Sequence, residues 1–354
     1  MKISSKLLLI LLFVGSIIFT SCNNKLEVNG ESAAKVVVYG LLNYGDTAHY
    51  LKIYKTFITE ENLYIAAQNQ DNYLLYDSIE VSMIETDSAS SPPTIRTLMF
   101  STTTEIPKDS GIFTNPNNPT NQVLYVNRDV LVPTATYELQ VKNRYSGKLM
   151  ASSFSELPYP KTFITSPTNE YINNPLRITQ SSQLDFTPAN GSIKINMPMI
   201  NALRYEAYYE FYYWEKPYNT APDWTLHGPI KIYVGKVAVS ETATNFSFNW
   251  SPKSFFTMLL SRIPHLDGSD PIVRKCGPVY LSVWGAGPDY SNYITNATES
   301  SSSIIEERPI ITNVNNGLGL FSSRYCVKYT YSVGPVTLAA LLNESAYSEL
   351  HFQN

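Results

Sequence analysis

The stretch 204–215 (RYEAYYEFYYWE) limits what this chain can fold into more than any other. Tyr205, Ala207, Tyr209, Phe211 and Tyr213 occupy every second position, so a strand collects them on one face as core. Read as a helix, the same aromatics lie all round the wheel and leave no solvent face. The opposite strand face then carries Arg204, Glu206, Tyr208, Glu210, Tyr212 and Trp214, charged and aromatic together. Composition agrees, since 26 Tyr and 15 Phe against only 16% charged residues favour sheet over helix. An apolar content of 44% supports packed cores, and 354 residues leave room for two domains. The net charge of −4 gives no concentrated basic patch, which argues against a nucleic-acid partner.

The chain starts with a different kind of signal. Lys2 and Lys6 precede an apolar run that continues to Phe19, and Thr20, Ser21 and Cys22 follow. A basic start, an apolar centre and small residues before a cut site predict a secretory signal over 1–22. The run is too short and too lightly flanked for a spanning helix. A cysteine directly after small residues resembles a bacterial lipobox, which implies that Cys22 is lipidated and ties the mature chain to a membrane. The alternative is an ordinary signal followed by a chance cysteine. Residues 23–34 are polar and small and read as a tether. With Cys22 so used, Cys276 and Cys326 remain as an even pair in a compartment that permits disulfides. Two buried thiols are the other reading, because spacing alone does not fix geometry.

Beyond the tether, β-branched and alternating runs at 35–42, 50–55, 79–83, 94–101, 123–127 and 149–154 predict short strands separated by turn residues. A short helical or irregular excursion falls at 62–70, and the Pro- and Asn-rich stretch 107–121 reads as a loop. The most specific fold signal is Leu131-Val132-Pro133 followed by Tyr137-x-Leu139-x-Val141. It resembles the tyrosine-corner strand of immunoglobulin and fibronectin-type sandwiches, where the ring is buried and its hydroxyl returns to nearby backbone. The expected architecture is mainly β: an N-terminal immunoglobulin-like β-sandwich over 35–156, a Pro-rich linker at 157–168, and a larger β-rich domain over 169–354. That second domain carries one predicted helix, 252–263, opened by Ser251-Pro252, striped by Phe255, Phe256, Leu259, Leu260 and Ile263, and stopped by Pro264. Residues 291–303 read as a serine-rich loop.

Several landmarks together resemble the family of Bacteroidetes outer-membrane lipoproteins known as domain of unknown function 4249. They are Cys22, the 36–42 strand, Leu131-x-Pro133 with Tyr137-x-Leu139-x-Val141, the strand before Asp289-Tyr290, and the 313–321 segment ending Gly317-Leu318-Gly319-Leu320-Phe321. The resemblance spans nearly all of the mature chain. It implies a lipid-anchored protein at the outer membrane with a TonB-dependent receptor as partner. The family has no accepted catalytic residues, so the resemblance transfers none.

Chemistry-bearing motifs are sparse. His49, His227, His265 and His351 are scattered, and no G-x-S-x-G, H-E-x-x-H or C-x-x-C occurs. Lys108-Asp109-Ser110-Gly111 and Asp267-Gly268-Ser269-Asp270 read as turns. Gly317-Leu318-Gly319 lacks the lysine and following helix of a phosphate loop and reads as a tight turn or bulge. No cofactor, metal or catalytic set is expected. Aromatic binding is the sharper reading: Tyr208, Tyr212 and Trp214 share a face, and Tyr218 and Trp224 follow in a Pro-bounded loop. Flat rings beside hydrogen-bonding groups suit a glycan or peptide ligand. The competing reading has this face covered by the 252–263 helix or by the other domain. The expected function is a non-enzymatic binding or accessory subunit of an outer-membrane uptake system. Its alternatives are a structural or adhesive surface lipoprotein and a hydrolase with an unrecognised site.

Overall fold

The computed structural model describes residues 34–75, 78–109, 122–161, 163–166, 182–187, 191–218, 223–266, 272–299 and 311–353. The expected signal with Cys22, the tether before residue 34, Ser110-Gly111 and Asp267 to Asp270 lie outside them. The protein is mainly β, as the alternating runs require. Strands β1 (Val36–Leu42) and β2 (His49–Lys55) lead into a short helix α1 (Leu63–Ala66), capped by Asn62, whose Oδ1 accepts from Tyr64 N. Then come β3 (Ile79–Asp87), β4 (Thr94–Met99), β5 (Ser101–Thr103), β6 (Leu124–Asn127), β7 (Thr136–Asn143) and β8 (Leu149–Glu156). The second half supplies β9 (Phe163–Ser166), β10 (Ser182–Leu184), β11 (Ser192–Asn196), β12 (Arg204–Pro217), β13 (Thr225–Ala238) and β14 (Asn245–Asn249). Helix α2 (Lys253–Arg262), β15 (Ile272–Ala286), helix α3 (Pro288–Glu299), β16 (Gly317–Val333) and helix α4 (Pro335–Asn343) complete the order.

A nine-stranded sheet runs β13-β12-β15-β16-β1-β2-β6-β5, with β10 also paired to β16. A four-stranded sheet, β4-β3-β7-β8, and a three-stranded one, β14-β11-β9, complete the set. Two cores result. In the first, Val36, Val38, Leu51 and Ile53 of the large sheet meet Val81, Met83, Leu139 and Val141 of the four-stranded sheet. Tyr137 sits at its edge as its motif predicts. The ring is fully buried, and the hydroxyl lies 2.8 Å from the Val132 carbonyl oxygen and 3.0 Å from Glu85 Oε2. Glu85, itself buried, is also held by both Nε and Nη2 of Arg96 at 2.7 Å. Tyr137→Phe removes the phenol from this buried network and is expected to destabilise the protein by about 1–3 kcal/mol, read by urea unfolding. A change under a few tenths would mean the hydroxyl holds nothing there.

The second core gathers the odd positions of β12 with Val279, Leu281 and Val283 of β15, Ile232 of β13 and the buried face of α2. Phe255 of α2 stacks on Phe186 at 3.8 Å and meets Phe211 edge-on at 5.3 Å.

The expected division into separate bodies at 157–168 is corrected: Lys35–Asn354 is one compact unit. The reason is β16. Its first half pairs in parallel with β1 and puts Phe321 into the first core. Its second half pairs antiparallel with β15 and puts Tyr331 into the second. Asn313 reinforces the joint. Its amide donates to Asp289 Oδ2 at 2.8 Å and to the Phe321 carbonyl at 2.7 Å, while its Oδ1 accepts from Phe321 N at 3.0 Å. Ser153 Oγ of β8 donates to the Asn313 carbonyl at 2.8 Å, across 160 residues of sequence. Gly317 and Gly319 therefore lie within a strand, where their missing side chains let β1 approach, rather than in a turn.

Two helices were not foreseen. Helix α3 occupies most of the stretch expected as a serine-rich loop, started by Pro288 and Asp289 in its first turn. Helix α4 begins at Pro335 and buries Thr337 and Leu341. The expected 252–263 helix is present as Lys253–Arg262, with Pro252 rather than Ser251 at the cap position. Among the described residues no helix is long and apolar enough to cross a membrane.

Candidate functional site

Strand β12 lies between β13 and β15, so both its edges are hydrogen-bonded and only its two faces are free to differ. The odd face is wholly buried, and α2 packs there. The even face is half-buried over most of its length and is not covered by α2. Instead α3 borders it. Register brings functional side chains from the neighbours beside it: Glu206 stands opposite Trp284, Glu210 opposite both Tyr280 and Lys231, and Tyr208 opposite Tyr233. One strand further, Ala286 pairs with Arg324 and Ser282 with Lys328.

These residues form a cavity of about 290 Å³ lined by Arg204, Glu206, Tyr208, Glu210, Lys231, Trp284, Tyr290, Ile294 and Arg324, with the backbone of Gly285 and Ala286 at its floor. Its polar groups are partly committed. Tyr208 donates to Glu206 Oε2 at 3.2 Å, and Lys328 Nζ sits 2.7 Å from Glu210 Oε2. The Arg324 guanidinium lies 4.9 Å from the centre of the Trp284 ring, a cation–π contact that fixes the indole plane. Burial, followed by the charge of Glu206, raises the pKa of both Tyr208 and Tyr233. At Lys328 burial works against the ammonium, but the hydrogen bond and charge of Glu210 outweigh it and raise its pKa.

Arg204 differs from the rest. It is 8% exposed, its Nε has no hydrogen-bond partner, and Nη1 donates only a long 3.3 Å bond to Thr295 Oγ1. Among the described residues no carboxylate lies within ion-pair distance of it. A buried guanidinium left in that state is costly unless an anion completes it. The chemistry available is therefore stacking on Trp284, Tyr208 and Tyr290 combined with capture of an acidic group by Arg204.

The five aromatics expected to form one site are dispersed. Tyr208 lines the cavity. Tyr212 is half-buried and turns its ring edge-on to Tyr280, 5.6 Å away. Trp214 is 37% exposed, and Tyr218 lies fully on the surface past the end of β12. Trp224 lies between two ammonium groups, Lys216 at 5.0 Å and Lys275 at 5.1 Å. Tyr208 and Trp214 are separated by about 20 Å of strand at ~3.3 Å per residue, too far for one small ligand. Trp284, Tyr290 and Arg324 replace them, brought in by sheet register and by a helix that the polar composition of 288–299 disguised.

The expected cysteine pair is also corrected, in favour of two thiols. Cys276 and Cys326 are both free. Cys326 sits opposite Trp284, while Cys276 lies eight residues back along β15, opposite Tyr213. That spacing is about 26 Å of strand, whereas a disulfide needs Cα atoms within about 7 Å. Burial pushes the Cys276 thiol up to about 12 and Cys326 to about 11, which keeps both protonated and unreactive at neutral pH. The histidines remain scattered, and among the described residues no three His, Cys, Asp or Glu side chains are placed to hold a metal ion.

No family model matches the chain, and no curated protein matches it. A solved structure described as a cytokine receptor complex, crystal form 1A, is similar over 84% of this chain and 98% of that one. The identity is 9% and the TM-score 0.20, values that show neither a common fold nor a common function.

Proposed function

We propose that this chain is a lipid-anchored envelope protein that binds its ligand without transforming it, as an accessory subunit of a TonB-dependent uptake system at the outer membrane. The location and partner rest on the 1–22 signal, on Cys22 and on the family resemblance. The ligand reading rests on one observation, the buried Arg204 without a counter-ion beside the rings of Trp284, Tyr208 and Tyr290. Of the two ligand classes foreseen, a glycan carrying carboxylates fits this arrangement best. Sugar rings stack on flat aromatic faces, and a uronic acid supplies the missing anion.

The hydrolase alternative finds less support. Glu206 and Glu210 are the carboxylates of the cavity, and their Cα atoms stand about 13 Å apart along an extended strand. Glycoside hydrolysis uses carboxyl groups roughly 5–9.5 Å apart, and Glu210 is already engaged by Lys328. A purely structural or adhesive role leaves the unpaired Arg204 without an explanation.

Calorimetric titration of the purified mature chain with uronic-acid and neutral oligosaccharides of equal length tests the reading. Acidic oligosaccharides are expected to bind, and Trp284→Ala to weaken them by about tenfold or more, a loss typical of a central aromatic contact. Arg204→Lys is expected to abolish the preference for acidic over neutral sugars while the thermal midpoint shows the fold retained. Equal binding of both sugars by the unmodified protein, or no binding of either, would sink the proposal.

A further inference from the structure

A second cavity lies elsewhere on the same sheet, beside Lys35, the residue at which the compact unit starts. Thr56 N donates to the Lys35 carbonyl at 2.8 Å and Thr56 Oγ1 accepts from Lys35 N at 2.9 Å, and Lys55 and Thr56 both line the cavity. Its volume is about 400 Å³, within the range of roughly 300–1,000 Å³ usual for small-molecule sites. The walls are apolar: Ile53, Tyr54, Phe57, Ala67, Leu74 and Val123, closed by the ring of Tyr73. Tyr73 meets Tyr54 edge-on and lies 6.5 Å from both Tyr54 and Phe57, so the aromatic walls brace one another.

Charge around this apolar space is one-sided. Lys52, Lys55 and Lys108 belong to the lining, and no carboxylate does. Lys52 projects to solvent from the outer face of β2. Burial, and then the neighbouring Lys52 ammonium, lower the pKa of Lys108, as expected where positive charges are crowded. The segment that builds the wall also shows apolar surface outward. Ile58, Leu63, Tyr64 and Ile65 are each at least half exposed, contiguous in sequence with Phe57 and Ala67 inside. Such a cluster on an otherwise polar surface marks contact with something apolar.

We propose that this cavity takes the hydrocarbon chain of an anionic amphiphile, with its acidic head group held by Lys52, Lys55 and Lys108 and the exposed Ile58 to Ile65 surface resting against lipid. A neutral amphiphile satisfies the walls but leaves the lysines unneutralised. A small hydrophilic anion satisfies the lysines but leaves the walls wet. Only the combination uses both. The site is independent of the cavity over β12, so it stands or falls apart from the glycan reading.

Displacement of the fluorescent probe 8-anilinonaphthalene-1-sulfonate from the purified mature chain tests this. Palmitate is expected to displace the probe, and glycerol monopalmitate at equal concentration to do so at least about tenfold less well, the ratio that two neutralised ammonium groups supply at ~1 kcal/mol each. Lys52→Glu with Lys108→Glu is expected to remove that preference while leaving uronic-acid oligosaccharide titrations unchanged. Leu74→Trp, which fills the cavity, is expected to lower palmitate affinity, and the double charge variant covers the case in which Leu74→Trp does not fold. Equal displacement by palmitate and its neutral glyceride overturns the proposal. So does binding confined to phosphatidylglycerol vesicles with none to free palmitate, because surface charge alone would then be responsible.

Discussion

Gly319→Ala is expected to destabilise the protein by more than about 4 kcal/mol, enough to leave little folded protein when total stability is of order 5–15 kcal/mol. Gly319 adopts φ +106°, a region that L residues rarely enter, and a Cβ built there would lie 1.9 Å from the Val38 carbonyl oxygen. Backbone cannot yield as a flexible side chain can. Relief of the contact means parting β1 from β16, the parallel seam through which the two cores share one sheet. Gly147→Ala is the control. It too has positive φ, +67°, but nothing lies within 4 Å of its Cβ position, so only the conformational cost of about 1–2 kcal/mol applies. Urea denaturation of both variants measures the difference. A Gly319→Ala loss no larger than that of Gly147→Ala would show that the seam carries no such constraint.

That seam also explains which parts of the architecture could be read from the chain. Two-residue periods such as Tyr205 to Tyr213 report burial directly, because strand geometry alone maps odd positions to one face. Tyr137 was legible for a similar reason: its partner Val132 is five residues away, so the whole motif is local. The β1–β16 pairing joins residues nearly 300 apart, and no local pattern encodes it. Hence 157–168, rich in proline, resembles a domain boundary although Asn313 and Phe321 return to the first core. Helix α3 was hidden because its stripe of Tyr290, Tyr293 and Ile294 is embedded among Ser, Asn and Thr.

The candidate site divides along the same line. Arg204, Glu206, Tyr208 and Glu210 were visible as one face because they are consecutive even positions of a single strand. Trp284 and Arg324 reach that face only through antiparallel register across β15 and β16, and Tyr290 only through α3. Conversely, Trp214, Tyr218 and Trp224 follow closely in sequence but lie along and beyond an extended strand, which carries them away at ~3.3 Å per residue. Nearness in sequence gathers side chains on a helix and disperses them on a strand.

Arg274→Met should cost about 3–5 kcal/mol, the range for removing one partner of a buried ion pair. Arg274 is 1% exposed, the largest fully buried side chain described. Its Nε donates to Glu215 Oε2 at 2.8 Å, and its Nη1 donates to the carbonyls of Pro264 at 2.9 Å and Leu350 at 3.0 Å. Its backbone adds two more ties to the C-terminal segment, accepting from Gln353 N at 2.9 Å and donating to the His351 carbonyl at 3.1 Å. One guanidinium thus joins β12, the end of α2 and the last residues of the chain. Methionine keeps much of the side-chain volume but strands a carboxylate and two carbonyl oxygens, so the loss is electrostatic rather than a packing void. Glu215→Gln separates these contributions: it keeps an acceptor for Arg274 Nε and removes only the charge, and Glu215 retains some contact with solvent, so a loss of about 1–2 kcal/mol is expected. Thermal and urea unfolding of the two variants give the comparison, with proteolysis at the C-terminus as a second readout. If Arg274→Met unfolds no more readily than Glu215→Gln, the two carbonyl contacts are not what pins the chain end, and packing of Leu350 and Phe352 into the second core must hold it instead.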